Sequence, residues 1–360
     1  MSGERPARGR GARSNPAGRF ERFTHAPLED DVWWAQDEEP GAVPTTVTPD
    51  ASRSILTRND SPDVPFSLSV NPYRGCEHGC AYCFARPSHA YLGLSAGLDF
   101  ETRLLAKHDA AKLLREELSR PGYRPEPIAL APNTDAYQPV ERRLGITRAV
   151  LEVLAETRHP VTVITKSTLV LRDLDLLVPM AREGLCEVLL SITTLDAELA
   201  RRMEPRAPAP ERRLRTARAL AEAGVPVGVL ASPMIPALND HELERILEAA
   251  AAAGARSASY TVVRLPHELH DLFPEWLRAA YPSRAAKVER LLRDLRGGAL
   301  NDSSFDTRMR GTGPFAELLS RRFAIACRRL GLPVEARELT TARFRHPTRG
   351  GQRRLFEDPP

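Results

Sequence analysis

Apolar and polar residues follow two different periods along the middle of the chain. Short apolar runs rich in β-branched residues alternate with longer segments in which apolar residues recur every three or four positions. The first pattern is typical of buried strands, and the second is typical of amphipathic helices. The short runs predict six strands, over residues 67–73, 127–133, 161–167, 186–194, 226–235 and 257–265.

The longer segments predict five helices between these strands. Three of them end at Gly184, Gly224 and Gly254, and glycine is the residue type that most often follows the end of a helix. The first of the five predicted helices ends before Pro121, because proline cannot continue a helix. The predicted helices span residues 104–120, 146–158, 171–184, 211–224 and 241–254.

The regular alternation of strands and helices predicts an α/β fold. Strands joined through helices lie parallel in one sheet, and their crossovers are right-handed. The strands are apolar on both faces, as expected when helices cover the sheet on both sides. Six βα units are too few to close an eight-fold barrel, so the pattern predicts a partial barrel or an open sheet.

The segments before and after this region have different patterns. Residues 1–60 are rich in proline, glycine, arginine and acidic residues, which predicts a mostly disordered N-terminal segment. Within it, Trp33 and Trp34 are expected to dock on the main domain. After residue 265 only helical patterns follow, which predicts a helical C-terminal extension over residues 266–345 and a basic tail over residues 346–360.

Charge and hydrophobicity exclude some classes of protein. The chain has 51 basic and 47 acidic residues, a smaller excess than in a dedicated nucleic-acid-binding protein. Much of the excess lies in the two terminal segments, which are either solvated tails or arms that contact a polyanion. No apolar run reaches the ~20 residues that span a bilayer, and the N-terminus lacks the apolar part of a signal peptide. We therefore expect a cytoplasmic protein that does not enter membranes.

Three of the five cysteines lie within eight positions, at Cys76, Cys80 and Cys83. In the cytoplasm clustered cysteines bind metals or do redox chemistry more often than they form disulfides. Three thiolates on one loop can hold a metal centre with an open coordination position. Zinc takes three protein ligands and a water in catalytic sites. A [4Fe–4S] cluster normally takes four cysteines, so that three would leave one iron free for an outside ligand.

The position of these cysteines bears on which of the two metal centres is expected. Zinc sites usually combine two separated pairs of ligands, and this chain has no second pair. Cys186 and Cys327 each stand alone in an apolar segment and are predicted core residues. The cysteine loop follows the first predicted strand, at the carboxyl end of the sheet. Catalytic sites of barrel-like folds lie at that end.

The motif Cys76-x3-Cys80-x2-Cys83, with Tyr82 before the last cysteine, resembles the signature of the radical S-adenosylmethionine (SAM) superfamily. The flanking stretches "CAYCFARPSHAYLGLSAGLDFETRLLAK", "APNTDAYQPVE" and "RMRGTGPFAELLSRRF" resemble uncharacterised bacterial proteins related to spore photoproduct lyase. The resemblance covers most of the chain after residue 50. It implies a partial (β/α)6 TIM-like barrel over residues 64–265.

The resemblance also implies the cofactors, a [4Fe–4S] cluster and SAM. In that superfamily the amino and carboxylate groups of SAM chelate the free iron. One electron then breaks the C5′–S bond and gives methionine and a 5′-deoxyadenosyl radical, which takes a hydrogen atom from the substrate. A redox partner of flavodoxin or ferredoxin type is implied as the electron donor, while nucleic acid and peptide both remain open as substrates.

The resemblance further implies which residues contact SAM. Many members carry Gly-Gly-Glu after the second strand, where this chain has Asn133-Thr134-Asp135. Thr134 and Asp135 are therefore expected to hold the methionine amino group. Lys166 ends the third strand and is expected to pair with the methionine carboxylate. Further contacts with ribose, adenine or carboxylate are expected from Tyr82, Phe84, Ser191, Thr193, Met234 and Asn239.

Two departures bear on the substrate. Spore photoproduct lyase uses a cysteine as a hydrogen donor where this chain has Pro132, and a tyrosine where it has Phe84. Repair of thymine dimers by the lyase route is therefore not expected. Tyr137, Gln138 and the loop Arg308–Pro314 are candidates for contact with a substrate. A non-catalytic iron–sulfur redox sensor, a zinc-dependent protein and a lyase-like nucleic-acid repair enzyme are the alternative hypotheses.

Overall fold

The structure is a computed structural model and describes residues 9–21, 43–334 and 337–347. The described residues form ten strands: β1 (Thr46–Pro49), β2 (Leu56–Arg58), β3 (Leu68–Val70), β4 (Tyr73–Arg74), β5 (Arg103–Ala106), β6 (Ile128–Leu130), β7 (Val161–Thr165), β8 (Cys186–Ser191), β9 (Val227–Met234) and β10 (Ser257–Val262).

The same ranges contain eleven α-helices: α1 (Asp99–Thr102), α2 (Ala110–Leu118), α3 (Glu141–Leu144), α4 (Ile146–Glu156), α5 (Leu174–Arg182), α6 (Ala197–Met203), α7 (Pro210–Glu222), α8 (Leu243–Ala252), α9 (Leu269–Ala280), α10 (Pro282–Leu295) and α11 (Gly313–Leu330). Short 3-10 helices span Arg86–Leu92, Thr168–Asp173 and Asp240–Glu242.

Seven strands form the main sheet, in the order β10-β9-β8-β7-β6-β3-β2. Six of them, β3 and β6 to β10, pair in parallel and follow the chain from one edge to the other. They are the six strands that the apolar runs predict. The predicted α/β class and the partial-barrel architecture are confirmed, because the order is sequential and the sheet remains open.

Helices cover this sheet because their apolar faces match its apolar surface. On β7, Val161 and Val163 are fully buried, and on α4 Val150, Leu151 and Leu154 are fully buried in the same hydrophobic cluster. Burial of each such side chain stabilises the fold by roughly 1.5–3 kcal/mol. The packing brings the carboxyl ends of all six parallel strands to one edge, where the cysteine loop lies.

One predicted helix begins later than its pattern indicates. Residues 104–106, placed in a helix over 104–120, belong to strand β5, and the helix begins only at Ala110. Strand β5 pairs in parallel with β1 and antiparallel with β4 in a second, three-stranded sheet. These backbone partners lie far away in sequence, and strand formation depends on such partners more than on local propensity.

The first sixty residues contain more structure than their composition predicts. Strands β1 and β2 lie within them, and β2 forms the antiparallel edge of the main sheet. Residues 9–21 lie against the core, and the backbone N–H groups of Gly11 and Ala12 donate to the buried Glu101 carboxylate at 2.9 and 2.7 Å. The predicted docking of Trp33 and Trp34 falls outside the described residues, as do residues 1–8 and 348–360.

The C-terminal helices pack against the β10 side of the sheet. The Val262 N–H, at the end of β10, donates to the Met309 carbonyl at 2.8 Å. The Tyr260 ring on β10 packs on Phe323 of α11 with 4.7 Å between ring centroids. No helix of the described part of the chain is long and apolar enough to cross a membrane.

Candidate functional site

A cavity of about 500 Å³ opens at the carboxyl ends of the parallel strands. The three clustered cysteines line it, together with strand-end residues from across the sheet. Nine of the twelve residues predicted to bind the metal or SAM meet here: Cys76, Cys80, Cys83, Tyr82, Phe84, Thr134, Asp135, Lys166 and Ser191. Met234 is one of the three exceptions, since it is fully buried in the hydrophobic core and does not line the cavity.

Hydrogen bonds hold the cysteine loop in shape. The Cys76 N–H donates to the Phe100 carbonyl at 2.9 Å. Gln138 lies behind the loop, where its Oε1 accepts from the Glu77 N–H at 2.9 Å and its Nε2 donates to the Gly75 carbonyl at 3.1 Å. Gln138 is fully buried. It therefore supports the loop and is not the substrate-facing residue that its position in the sequence suggests.

The three thiols are suited to a metal centre. Burial raises the pKa of Cys76, and the nearby Asp135, Cys80 and Cys83 raise it further. Burial also raises the pKa of Cys80 to about 12, although the positive charge of Lys166 opposes the shift. Buried thiols with raised pKa values stay protonated at neutral pH. They become thiolates when a bound metal cation displaces their protons. This donor set fits the expected iron–sulfur cluster.

Within residues 9–21, 43–334 and 337–347, no three His, Cys, Asp or Glu side chains are arranged to hold a single metal ion. The three cysteines line one cavity.

Asp135 joins the loops of three elements. Its carboxylate accepts from the Tyr137 N–H at 2.9 Å, the Thr165 hydroxyl at 2.6 Å and the Lys166 N–H at 2.8 Å. His78 Nδ1 lies 3.3 Å from the second carboxylate oxygen. Burial would raise the pKa of Asp135, but His78, Thr165 and Lys166 outweigh burial and lower it. Both oxygens are thus already occupied by neighbouring groups.

Lys166 is half-buried and places a positive charge beside the cysteines. Its Nζ lies 6.0 Å from the centre of the Tyr82 ring. Burial lowers the pKa of Lys166, but attraction to Cys80, Glu204 and Asp135 outweighs burial and raises it. The ammonium group therefore stays charged in the cavity, where it can bind a carboxylate.

A buried network beneath the cavity was not found from the sequence. The Tyr82 hydroxyl donates to Glu204, and Glu204 pairs with Arg213. Arg213 also donates to the Ser191 carbonyl at 3.1 Å, and its pKa is raised because attraction to Glu204 outweighs burial. One signal was available, since Arg213 lies on the apolar face of α7 three and seven residues before the buried Thr216 and Leu220.

Three other candidate residues have structural roles. The Tyr137 hydroxyl donates to Asp173 at 3.0 Å in a buried contact away from the cavity. The Asn239 side chain is fully buried and bonds only to backbone groups, accepting from the Ile235 N–H and donating to the carbonyls of Thr193 and Pro233. Thr193 is buried nearby. These residues shape the loops at the strand ends and do not line the cavity.

Aromatic and cationic side chains surround the mouth of the cavity. Phe84 is 44% exposed there. Arg308, from the predicted loop Arg308–Pro314, lines the cavity and binds both oxygens of Asp63 at 2.5 Å. Arg310 of the same loop instead lies over the Tyr260 ring, 5.1 Å from its centre. Arg264 also lines the mouth of the cavity. The sequence does not predict it as a site residue, because a lone arginine after a strand has no distinctive pattern.

With this geometry in place, comparison with known proteins identifies the family. Residues 70–250 match the model of the Radical SAM superfamily. This range contains the cysteine loop and the carboxyl ends of five of the six parallel strands. The chain belongs to the radical SAM superfamily. This confirms the resemblance inferred from the cysteine motif.

Curated relatives of this radical SAM protein are themselves uncharacterized. Protein Rv2578c of Mycobacterium tuberculosis is 38% identical over 232 residues, which cover 64% of this chain and 68% of the relative. Protein MJ0683 of Methanocaldococcus jannaschii is 30% identical over 173 residues, or 48% of this chain and 62% of that protein. The family assignment thus comes without an assigned substrate.

Solved structures show the same fold in spore photoproduct lyase. A variant of that enzyme has a TM-score of 0.58 and 16% identity, and the match covers 82% of each chain. Its complex with a dinucleoside spore photoproduct has a TM-score of 0.58 and 15% identity, with 80% of each chain covered. At this identity the likeness shows the shared fold and leaves the reaction to be argued from the site.

Proposed function

We propose that this protein is a radical SAM enzyme. Cys76, Cys80 and Cys83 would hold a [4Fe–4S] cluster, which, once reduced by an electron donor, would supply the electron for reductive cleavage of SAM and so for hydrogen abstraction from the substrate. The observation that carries the proposal is the convergence of the three cysteines with Lys166 in one cavity at the carboxyl ends of the strands.

The cavity contains groups suited to the methionine part of SAM. The Lys166 ammonium is the cation that would bind the carboxylate. The Thr134 hydroxyl is buried and has no hydrogen-bond partner in the described part of the chain, so it is free to accept from the amino group. Both oxygens of Asp135 already accept hydrogen bonds, one of them from the Lys166 N–H, and we propose that Asp135 positions Lys166 rather than binding SAM itself.

The residues predicted to contact the adenosine part of SAM lie elsewhere along the wall of the cavity. Ser191 ends β8 and lines the cavity together with Tyr82. The Tyr82 hydroxyl is engaged with Glu204, so that only its ring is left to contact adenine or ribose. We propose that Ser191 and the ring of Tyr82 hold the adenosine part, whereas the Phe84 ring, which is 44% exposed, stays available at the mouth of the cavity.

The polar wall favours an enzyme over a redox sensor that carries only a cluster. An electron carrier has no need for a 500 Å³ cavity beside its metal ligands or for a half-buried lysine in that cavity. Lyase-like repair has weaker support, since Pro132 occupies the place of the hydrogen-donating cysteine. We further propose a flavodoxin- or ferredoxin-type electron donor, as the superfamily's chemistry requires one.

The test is anaerobic purification and reconstitution with iron and sulfide. The expected results are about four irons per chain, an iron–sulfur absorbance band, and 5′-deoxyadenosine after reduction in the presence of SAM. A zinc-loaded protein without iron would refute the cluster. An intact cluster that never cleaves SAM would support the redox-sensor alternative instead.

A substitution tests the ligand set. Cys80→Ala should abolish the iron–sulfur absorbance and the release of 5′-deoxyadenosine, because the cluster would lose one of three thiolates. Cys186→Ala is the matched control, since Cys186 is buried at the start of β8 and its thiol donates to the Leu177 carbonyl at 3.3 Å. Full iron content in the Cys80 variant would contradict the assignment.

A further inference from the structure

Arg264 has an unusual environment at the mouth of the cavity. It follows β10, lines the cavity and is largely withdrawn from solvent. Its Nε is buried and has no hydrogen-bond partner in the described ranges. The guanidinium's one polar contact there is between Nη1 and the Met309 sulfur at 3.8 Å, a weak acceptor. A desolvated guanidinium without an anionic partner is costly, which indicates a missing ligand.

The neighbouring arginines differ from Arg264. Arg308 binds both oxygens of Asp63. Arg310 lies over the Tyr260 ring, as Arg264 lies over Phe84, but it does not line the cavity. Arg58 is also at the cavity rim, but its side chain is 74% exposed and pairs with Glu126. Among these arginines, Arg264 is the one whose guanidinium faces the cavity without a carboxylate partner in the described residues.

The charges around Arg264 show which ligand would suit it. Burial lowers the pKa of Arg264 to about 10, and the positive charges of Arg308 and Arg296 lower it further, while Asp63 opposes this. The Arg264 and Arg308 guanidinium groups thus share the Asp63 carboxylate, which is bound to Arg308, while Arg296 interacts with Asp302. A group with more than one anionic oxygen would balance the excess and could accept two parallel hydrogen bonds from the guanidinium.

An aromatic surface lies next to this charge. The Arg264 guanidinium carbon lies 5.5 Å from the centre of the Phe84 ring. Phe84 is 44% exposed and immediately follows the metal ligand Cys83. An exposed aromatic ring beside an arginine that has no anionic partner in the described residues is the combination that binds a base and its phosphate in nucleic-acid sites. A peptide carboxylate would use the arginine but would leave the ring uncovered.

We propose that Arg264 binds a phosphate group of the substrate and that a base of the same substrate stacks on Phe84. The inference rests on the proposed function, because it places the substrate beside the SAM cavity. It assigns the anion site to Arg264 and not to the loop Arg308–Pro314. Lys166 lies deeper, beside Cys80 and Asp135, and serves the carboxylate of SAM.

The experiment measures binding of the thymidine dinucleotide d(TpT) to the reconstituted full chain by calorimetry, with SAM at saturation. Arg264→Gln should weaken d(TpT) binding by about tenfold or more, since it removes a charge-assisted pair of hydrogen bonds. Arg264→Lys should recover part of the affinity, because the charge remains. Arg58→Gln is the matched control at the same rim, and it should stay within about twofold.

Several results would overturn the proposal. They are wild-type affinity for d(TpT) in Arg264→Gln, no d(TpT) binding by the wild-type chain, or an Arg264-dependent affinity for the dipeptide Gly-Glu with none for d(TpT). A loss of SAM affinity in Arg264→Gln would assign the arginine to SAM instead. Thermal unfolding of each variant shows whether it is folded.

Failure of this proposal can be told apart from failure of the proposed function. Release of 5′-deoxyadenosine tests the function and needs no substrate. Binding of d(TpT) is measured without turnover. A chain that cleaves SAM but does not bind d(TpT) would refute only the substrate inference. A chain that binds d(TpT) through Arg264 but has no cluster would refute only the radical chemistry.

Discussion

Two buried Arg–Glu pairs flank the cysteine loop. Arg86 pairs with Glu101 and also donates to the Cys80 carbonyl at 2.9 Å. On the other side Arg213 pairs with Glu204, which also accepts from Tyr82. All four charged side chains are almost completely buried. Such pairs add little stability compared with apolar packing, but removal of one partner leaves an uncompensated charge in the core.

Glu204→Ala should therefore destabilise the protein by about 3–5 kcal/mol. The substitution leaves Arg213 as a buried unpaired cation and deprives the Tyr82 hydroxyl of its acceptor. Thermal unfolding by calorimetry measures the effect. Glu198→Ala is the control, because the Glu198–Arg202 pair lies on the surface and should change stability by at most about 1 kcal/mol. Equal effects of the two substitutions would contradict the role of the network.

The buried histidines predict a dependence of stability on pH. Burial lowers the pKa of His159 to about 4, and its ring nitrogens contact the Tyr123 hydroxyl and the Pro160 carbonyl. The unfolded chain binds a proton near pH 6.5, so between pH 6.5 and 4 it holds more protons than the folded chain. The contribution of His159 is therefore complete above pH 6.5 and declines as the pH falls through this window.

A fall from pH 7 to pH 5 should cost about 1–2 kcal/mol through His159. His89 should contribute a similar loss of stability, because burial lowers its pKa to about 4 as well. The melting temperature at the two pH values measures the loss. His159→Gln should lower stability at pH 7 but show a smaller further loss at pH 5. An identical pH dependence in the variant would disprove the assignment.

At the scale of elements, the N-terminal segment 9–21 acts as a strap over the cysteine loop. Arg10 donates to the Glu101 carbonyl at 3.0 Å, and Gly11 and Ala12 donate to its carboxylate. Ser14 reaches α9, where its hydroxyl donates to Glu275 at 2.8 Å. The strap thus joins the loop to the C-terminal extension and covers the outer side of Gly79.

Gly11→Val should detach this strap, because a Cβ at Gly11 would lie 1.6 Å from the Gly79 carbonyl oxygen. Glu101 would then lose two donors, at a cost of about 1–3 kcal/mol. We expect a lower melting temperature and faster bleaching of the iron–sulfur absorbance in air, since water and oxygen would reach the loop.

Gly18→Ala is the control for the strap, since the nearest atom to an added Cβ lies 3.4 Å away, at the Glu21 side chain. It should melt and bleach like the unchanged protein. If Gly11→Val bleaches no faster than this control, the strap does not protect the cluster.

At the scale of the whole molecule, the C-terminal extension closes one side of the open sheet. Helix α11 covers β10 through Tyr260 and Phe323, and the carbonyl of Met309 accepts from Val262. Across the cavity mouth, Arg308 joins this extension to Asp63 near the N-terminal edge strand β2. An open sheet with an uncovered edge strand would tend to aggregate, so the extension completes the fold as well as the site.

Phe323→Ala should destabilise the protein by about 3–5 kcal/mol, because it leaves a cavity between α11 and the sheet. Phe323 is 3% exposed. Ile325 on the same helix is 65% exposed, and Ile325→Ala should stay within about 0.5 kcal/mol. Calorimetric unfolding of both variants tests whether the extension and the barrel form one cooperative unit. Two separate transitions in the unchanged protein would contradict that.

The parts of the site that could be predicted are those with a local signature. Cys76, Cys80 and Cys83 share one loop, Lys166 directly follows β7, and Asp135 lies in the loop after β6. Arg264 and Glu204 could not be predicted in this way. Their roles depend on what surrounds them in space, and their neighbours come from distant parts of the chain. Met234 was predicted for the site but lies in the core, because its position at the end of a strand does not show to which face its side chain points.

The sequence by itself determined the α/β class, the six parallel strands and the position of the cysteine loop, because period and spacing are local properties of the chain. The tertiary structure decided the rest. It placed β5 in a second sheet, laid residues 9–21 over the cysteine loop and left Arg264 at the cavity mouth without a carboxylate bound to it among the described residues. Each of these depends on contacts between residues far apart in sequence, which the free energy of the whole fold selects.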